Sequence, residues 1–250
     1  MKFHAEEMTN ALIHWIRAWF WKNGRGCNAV IGISGGKDSL ALVSGLAGLK
    51  RFYPSRFDLV AIRVDTGLSF DKKEEESISE YIKGLGVEYH VIKTEIGKIV
   101  FEERKESNPC SLCANMRRGA LNGAAKDLGC NKVALGHHAD DLIETFILSM
   151  FYEGRLSTFH PVTNLSRMDL TIIRPMIYLK ETEVSSFMKG KPILKNPCPA
   201  DKHTKREYVK DLFKTIRKEI PFVNDNVLNA LVHEERHNLF VKPTNEENNK

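Results

Sequence analysis

Short aliphatic runs alternate with helix-length stretches along residues 28–152, and this rhythm constrains the fold more than any single residue does. NAVIGI (28–33), DLVAIRVD (58–65), VEYHVIK (87–93) and NKVALGHH (131–138) have the length and Val/Ile content of buried strands. Between them lie the helical run Leu40–Leu49, a charged helix over 71–85 ending near Gly86, and a helix from about Cys113 to Leu128 stopped by Gly129. Residues 139–152 supply another helix after the fourth run. Strands joined through helices pair in parallel, with helices covering both faces of the sheet. The expected fold is therefore a doubly wound α/β parallel sheet. Such sheets bind ligands at the carboxyl ends of their strands.

Beyond residue 153 the pattern loosens. TIIRPMI (171–177) reads as a last strand, ETEVSSFMK (181–189) as a helix and the proline-broken KPILKNPCP (191–199) as a loop. Helical patterns resume at about 204–219 and 224–239, and the tail EENNK is expected to fray. At the other end, Leu12, Trp15, Ile16 and Trp19 recur at helical spacing, with Phe20 and Trp21 beside them. This segment is expected to dock on the body or on a second subunit, which would make a homodimer. The chain thus divides into an N-terminal helix (1–25), a central domain (26–200) and a C-terminal helical segment (201–250).

At 250 residues, 42% of them hydrophobic and 28% charged, the chain can bury one sizeable core. That composition excludes a disordered polymer and a membrane-embedded protein. No apolar run approaches a membrane span, and acids stand where a signal peptide would begin with basic residues. A cytoplasmic protein is expected.

Ser34-Gly35-Gly36-Lys37-Asp38-Ser39 joins the first strand to the first helix. Backbone N–H groups and the helix dipole can hold an anion there, two glycines let the main chain approach phosphate oxygens, and two serines add hydroxyl donors. The spacing differs from a Walker A loop, since three residues separate Gly32 from Gly36 and Asp38 follows the lysine. An acid beside a phosphate cradle calls for a divalent cation between them, so Asp38 reads as a magnesium partner.

The five cysteines do not suit a disulfide framework. Cys110 and Cys113 form a CxxC at the start of a helix whose first turns carry Arg117 and Arg118, and Cys198 lies far downstream. Thiolates at a helix N-terminus beside arginines are expected to have depressed pKa values and to be ready to ligate metal. Three thiolates fall one short of a structural zinc site. A 4Fe-4S cluster with one open iron fits the count better, and a redox dithiol with Cys198 as bystander is the alternative. Cys27 and Cys130 are expected to be small core residues.

SGGKDS after the first strand carries the SGGxDS signature of the PP-loop ATP pyrophosphatases. With PCSLC followed by Arg117 and Arg118, LGHHADD (135–141) and RPMIYLKE (174–181) in order, the chain resembles the tRNA 2-thiocytidine synthetases, the TtcA-type branch of that superfamily. The resemblance runs from about residue 28 to 240. It implies an adenine nucleotide α-hydrolase-like fold and an enzyme that adenylates C2 of a tRNA pyrimidine, most simply a cytidine of the anticodon loop, before sulfur replaces the oxygen.

By position, Ser34, Gly35, Gly36, Asp38 and Ser39 would hold ATP phosphates and magnesium, and Asp65, Gly136 and His137 would line the nucleotide site. Asp140 and Asp141 would hold magnesium or orient the base. Lys37 and Arg117 would stabilise developing charge, and Cys110, Cys113 and Cys198 would carry a 4Fe-4S cluster. The implied partners are tRNA and a sulfur donor, either sulfide or a persulfide carrier such as a cysteine desulfurase, with no membrane. The family often has a second CxxC where this chain reads Cys198-Pro-Ala-Asp201. The alternatives are a 2-thiouridine synthetase of the same superfamily, a PP-loop ligase acting on a small molecule, and a nonenzymatic iron–sulfur or ATP-sensing module.

Two further features compete for attention. Residues 202–218 hold seven Lys or Arg against two acids, on a chain of net charge +5, which suits either an RNA footprint or a solvated helix face. His233-Glu234-Glu235-Arg236-His237 fits H-E-x-x-H and would place both histidines on one helix face, but no credible third zinc ligand follows. His137 and His138, as neighbours on a strand, are expected to face opposite ways, so at most one meets a nucleotide.

Overall fold

The computed structural model describes residues 27–50, 57–68, 71–105, 109–195, 198 and 204–239. The Trp-rich segment 1–25, Asp201, Lys202 and the tail lie outside the described residues, as does the side chain of Cys27.

Six strands form one sheet in the order β3-β2-β1-β4-β6-β5: β1 Cys27–Ile33, β2 Phe57–Asp65, β3 Glu88–Lys93, β4 Lys132–Ala134, β5 Val162–Leu165 and β6 Leu170–Ile173. The longer helices are α1 Lys37–Lys50, α2 Lys72–Gly84, α3 Pro109–Asp127, α4 Ala139–Glu153, α5 Glu181–Met188, α6 Lys205–Glu219 and α7 Val223–Val232, with a shorter helical stretch over Ile96–Arg104. All pairings are parallel except β5 with β6. The chain builds outward from β1 through β2 to β3, then returns across the sheet to place β4 on the other flank of β1. The loops after β1 and β4 therefore diverge at a switch point, where a crevice opens.

Alternation along β1 divides the core. Ala29, Ile31 and Ile33 face the layer containing Leu40, Leu46 and Leu49 of α1, with Val184 and Met188 of α5 packed behind it. Val30 faces the opposite layer, where Leu121 and Ala125 of α3 meet Ile62, Val133 and Ile172. A satellite cluster joins Ile143 and Ile147 of α4 to Val209 and Phe213 of α6.

Four boundaries differ from expectation, each for a local reason. β4 ends at Ala134 rather than running to His138, because Gly136 passes against the first turn of α1. β6 stops at Ile173, since Pro175 has no N–H for a sheet ladder and the chain turns there. Helix α3 begins at Pro109, four residues before Cys113, with proline in the first helical position. Helix α7 ends at Val232, so His233 and His237 do not share a helix; His233 contacts Glu235, and His237 meets the Ala230 carbonyl.

Candidate functional site

Strand β1 delivers Ser34–Ser39 to the crevice, and the loop ties itself into a cradle. Ser34 Oγ accepts from Gly36 N at 3.2 Å, Ser39 Oγ accepts from Ser34 N at 3.2 Å, and the Ser39 hydroxyl donates to Gly36 O at 3.0 Å. The first-turn N–H groups of α1 point outward, since a helix start offers them no intrahelical acceptor. Gly35 has φ +87°, and a Cβ there would sit 2.3 Å from Leu194 Cδ1. Gly136 is pressed against backbone instead: its Cβ would lie 2.8 Å from the Asp38 carbonyl carbon and oxygen.

The resulting cavity, about 360 Å³, is lined by Ser34, Asp38, Ser39, Arg117, Arg118, Gly136, His137 and Asp141, with Ile62, Val64 and Leu121 as its apolar floor. His137 faces this cavity. Burial drives its pKa down to about 4, with Asp141 opposing and Arg174 and Arg206 adding to the fall, so the ring is neutral at pH 7. Behind it Phe159 packs 4.9 Å away, centroid to centroid, and the Arg174 guanidinium lies 4.8 Å over the Phe159 ring. Burial, with Arg118 nearby, lowers the Arg174 pKa to about 10.

His138, the residue before α4, is 2% exposed. Its ring lies among three carboxylates, 3.6 Å from Asp38, 3.8 Å from Asp140 and 3.5 Å from Asp141. The reading of 137 and 138 as neighbouring strand residues gives way here to a loop and a helix cap. Asp38 Oδ1 is buried without an aligned hydrogen-bond donor, and Asp38 and Asp141 line the cavity together. Two carboxylates beside a phosphate cradle fit magnesium, which keeps few protein ligands when it binds with a nucleotide.

A second cavity of about 320 Å³ adjoins the first. Cys110 and Cys113 from the first turn of α3 line it with Cys198, Arg117, Ser34, Gly36 and Arg63. Desolvation raises the Cys113 pKa; Arg117 opposes, while Cys198 and Cys110 add to the rise. That reverses the depressed thiol expected from a helix N-terminus beside arginines, because burial and neighbouring sulfur outweigh one guanidinium. The three thiols face one space without converging on a point: among the described residues no three His, Cys, Asp or Glu side chains group to hold a metal ion. A cluster of several irons, which spreads its cysteines apart, fits that donor set better than a single ion does. Cys130 is buried, as a core thiol should be.

Of the predicted phosphate, nucleotide and catalytic residues, five are outside the lining of the first cavity: Gly35 and Gly36, which shape the loop beside it, and Lys37, Asp140 and Asp65. Lys37 lies 2.9 Å from Glu181 and lines a separate cavity of about 1000 Å³. Burial opposes its charge, but Asp38 and Glu181 outweigh that and raise its pKa. Asp140 accepts the Glu181 N–H at 2.7 Å and the Asn224 side-chain amide at 2.8 Å, stapling α4 to α5 and α7. Asp65 accepts from Gly67 N at 3.0 Å, shaping the turn after β2.

The sequence pattern assigns no site role to His138, Glu144, Glu181 or Arg206 individually. Arg206 donates to Glu144 at 2.8 Å and to Thr145 at 3.1 Å. Part of the basic segment is thus spent on protein contacts, while Lys205, Lys214, Arg217 and Lys218 are exposed. The signal available for His138 was its place just before an Ala-Asp-Asp helix start. For Arg206 no sequence signal separates it from its basic neighbours.

The PP-loop domain family matches residues 11–214. A tRNA-cytidine(32) 2-sulfurtransferase from Pelobacter propionicus is 39% identical over 211 residues, 82% of this chain and 78% of that protein. One from Geotalea uraniireducens is 37% identical over 215 residues, 83% of this chain and 84% of that protein. Among solved structures, a U34-tRNA thiolase from Methanococcus maripaludis with its 4Fe-4S cluster superposes with a TM-score of 0.73 at 22% identity, covering 94% of this chain and 80% of that one. An NH3-dependent NAD synthetase from Campylobacter jejuni shares the fold at a TM-score of 0.53 and 17% identity, covering 95% of this chain and 99% of that one. With a cradle, paired acids and a thiol-lined cavity on a mostly parallel sheet, the chain belongs to the PP-loop domain family and, within it, to the tRNA-cytidine(32) 2-sulfurtransferases.

Proposed function

We propose that the protein is a cytoplasmic, ATP-dependent tRNA sulfurtransferase that replaces O2 of a tRNA cytidine with sulfur. The observation that carries this reading is the shared wall of the two cavities: Ser34, Val64, Ala114 and Arg117 line both the phosphate cradle and the thiol chamber. A nucleotide activated in one is within reach of sulfur delivered from the other.

The glycine loop and the first turn of α1 would hold the β- and γ-phosphates, with Asp38 and Asp141 holding magnesium against them. Cytidine O2 attacks the α-phosphorus, the bond to the bridging oxygen breaks, and pyrophosphate leaves with that electron pair. The O2–AMP so formed is a good leaving group. A sulfur nucleophile then adds to C2, the C2–O bond breaks, and AMP departs with the oxygen. Arg117 stands where it can meet negative charge on the α-phosphate and on the incoming sulfur. Neutral His137 offers the base a hydrogen-bonding ring edge without adding charge.

Cys110, Cys113 and Cys198 would hold a 4Fe-4S cluster, which when bound supplies an open iron for sulfur. The sulfur itself comes from sulfide, or from a persulfide carrier such as a cysteine desulfurase together with a thiol reductant, whose two electrons break the S–S bond to the carrier.

The test is tRNA-dependent formation of AMP and pyrophosphate by the loaded enzyme. Asp38→Ala should lose AMP formation with iron content retained. Cys110→Ala should lose thiolation while still binding ATP. AMP formation indifferent to tRNA, or full thiolation by Cys110→Ala, would overturn the reading.

A further inference from the structure

The glycine loop and the basic helix α6 belong to one closed ring of side-chain contacts. Lys37 lies 2.9 Å from Glu181, Glu181 3.6 Å from Lys210, Lys210 3.7 Å from Glu144, and Glu144 2.8 Å from Arg206. The return path runs from Arg206 to Asp141 at 3.6 Å, Asp141 to His138 at 3.5 Å, His138 to Asp38 at 3.6 Å and Asp38 to Lys37 at 3.0 Å. Basic and acidic side chains alternate all the way around. The ring ties together four stretches far apart in sequence: the glycine loop and the starts of α4, α5 and α6.

Asp141 is a ring member that faces the nucleotide cavity, and it is gripped from two sides. Its Oδ2 accepts the His138 backbone N–H at 3.1 Å, and its Oδ1 faces the Arg206 guanidinium. Arg206 also reaches Glu144 and Thr145, so its planar fork spans one face of α4 at positions 141, 144 and 145. Glu144 is buried, and burial raises its pKa against the pull of Arg206 and Lys210. Without the guanidinium, Asp141 would keep the His138 N–H on Oδ2 but lose the cation facing Oδ1, and Glu144 one turn away would keep only Lys210, at 3.7 Å.

We propose that Arg206 is a positioning residue for nucleotide activation: by clamping Asp141 and Glu144 from α6, it holds the Asp141 carboxylate where the magnesium nucleotide binds. The proposal rests on the adenylation reading above. It also gives a residue of the basic helix a task that involves no contact with RNA.

The experiment measures tRNA-dependent pyrophosphate release against magnesium concentration, for Arg206→Gln and Arg206→Lys, in wild-type and Asp141→Asn backgrounds. Arg206→Gln should lower kcat by about tenfold and raise the half-saturating magnesium concentration several-fold, leaving KM for tRNA within about twofold. Arg206→Lys should recover part of the loss, since it restores charge without the fork. In the Asp141→Asn background, Arg206→Gln should add less than about twofold, because the two changes break the same contact.

If Arg206→Gln fails to fold, the double variant Glu144→Gln/Arg206→Met removes both charges of the pair, leaving no unpaired carboxylate at 144, and is expected to stay folded. It should show the same magnesium defect. Equal losses in both backgrounds, or an effect confined to KM for tRNA, would overturn the clamp. Undiminished pyrophosphate release by Asp141→Asn would likewise overturn the clamp, whereas absence of tRNA-dependent pyrophosphate release from the wild type would instead overturn the adenylation reading.

Discussion

A methyl group at Gly136 would press on the carbonyl of Asp38 and come 3.0 Å from Ser39 N, both of them backbone atoms that cannot rotate away. Gly136→Ala should therefore push the first turn of α1 out of register with the cradle. Titration with a fluorescent ATP analogue should show roughly tenfold weaker binding or worse, a change of ~1.4 kcal/mol, with the circular dichroism spectrum unchanged. Beside it, His137 sets a pH signature. Its folded pKa of about 4 lies below the ordinary value of 6.5, so between those limits the unfolded chain binds a proton that the folded chain refuses. Stability should consequently fall as pH drops from 6.5 to 4, and His137→Asn should lose part of that dependence in urea midpoints compared at pH 7 and pH 4.5. Wild type and variant falling in parallel would contradict the buried neutral ring. That Ser34, Asp38 and Ser39 meet Gly136, His137 and Asp141 around one cavity was legible at the residue level, because both loops leave the carboxyl ends of neighbouring strands. His138 was not, because judging its direction required knowing that β4 stops at Ala134.

Helix α6 illustrates what pattern reading misses at the scale of elements. Its seven-cation neighbourhood reads as a surface, yet Val209 and Phe213 are buried against Ile143 and Ile147 of α4. Phe213→Ala should cost about 3 kcal/mol or more, as truncating a buried aromatic generally does; a denaturation midpoint close to wild type would contradict that docking. The strands β1, β2 and β3 were legible within a residue or so, since their Val/Ile runs are long. β5 escaped notice. VTNL is short, half polar and sits at the sheet edge, where little burial writes a pattern into the sequence. The helical stretch Ile96–Arg104, which passes from an ordinary turn into a wider one, was equally unmarked.

The whole molecule brings the glycine loop and the cysteines together by topology alone. β1 and β4 diverge at the switch point, and α3, which crosses back between β3 and β4, carries Cys110, Cys113 and Arg117 to the mouth of the same crevice. No spacing rule connects Ser34 to Cys198, yet both line one chamber. No described helix is long and apolar enough to cross a membrane. If the adjoining nucleotide and thiol cavities serve one reaction on tRNA cytidine, mass spectrometry of tRNA nucleosides from cells whose only copy of the gene encodes Cys110→Ala should find no 2-thiocytidine. The Asp38→Ala strain should show the same loss, and the wild-type gene should restore the nucleoside. Undiminished 2-thiocytidine in the Cys110→Ala strain, or loss of 2-thiouridine in its place, would contradict that single reaction.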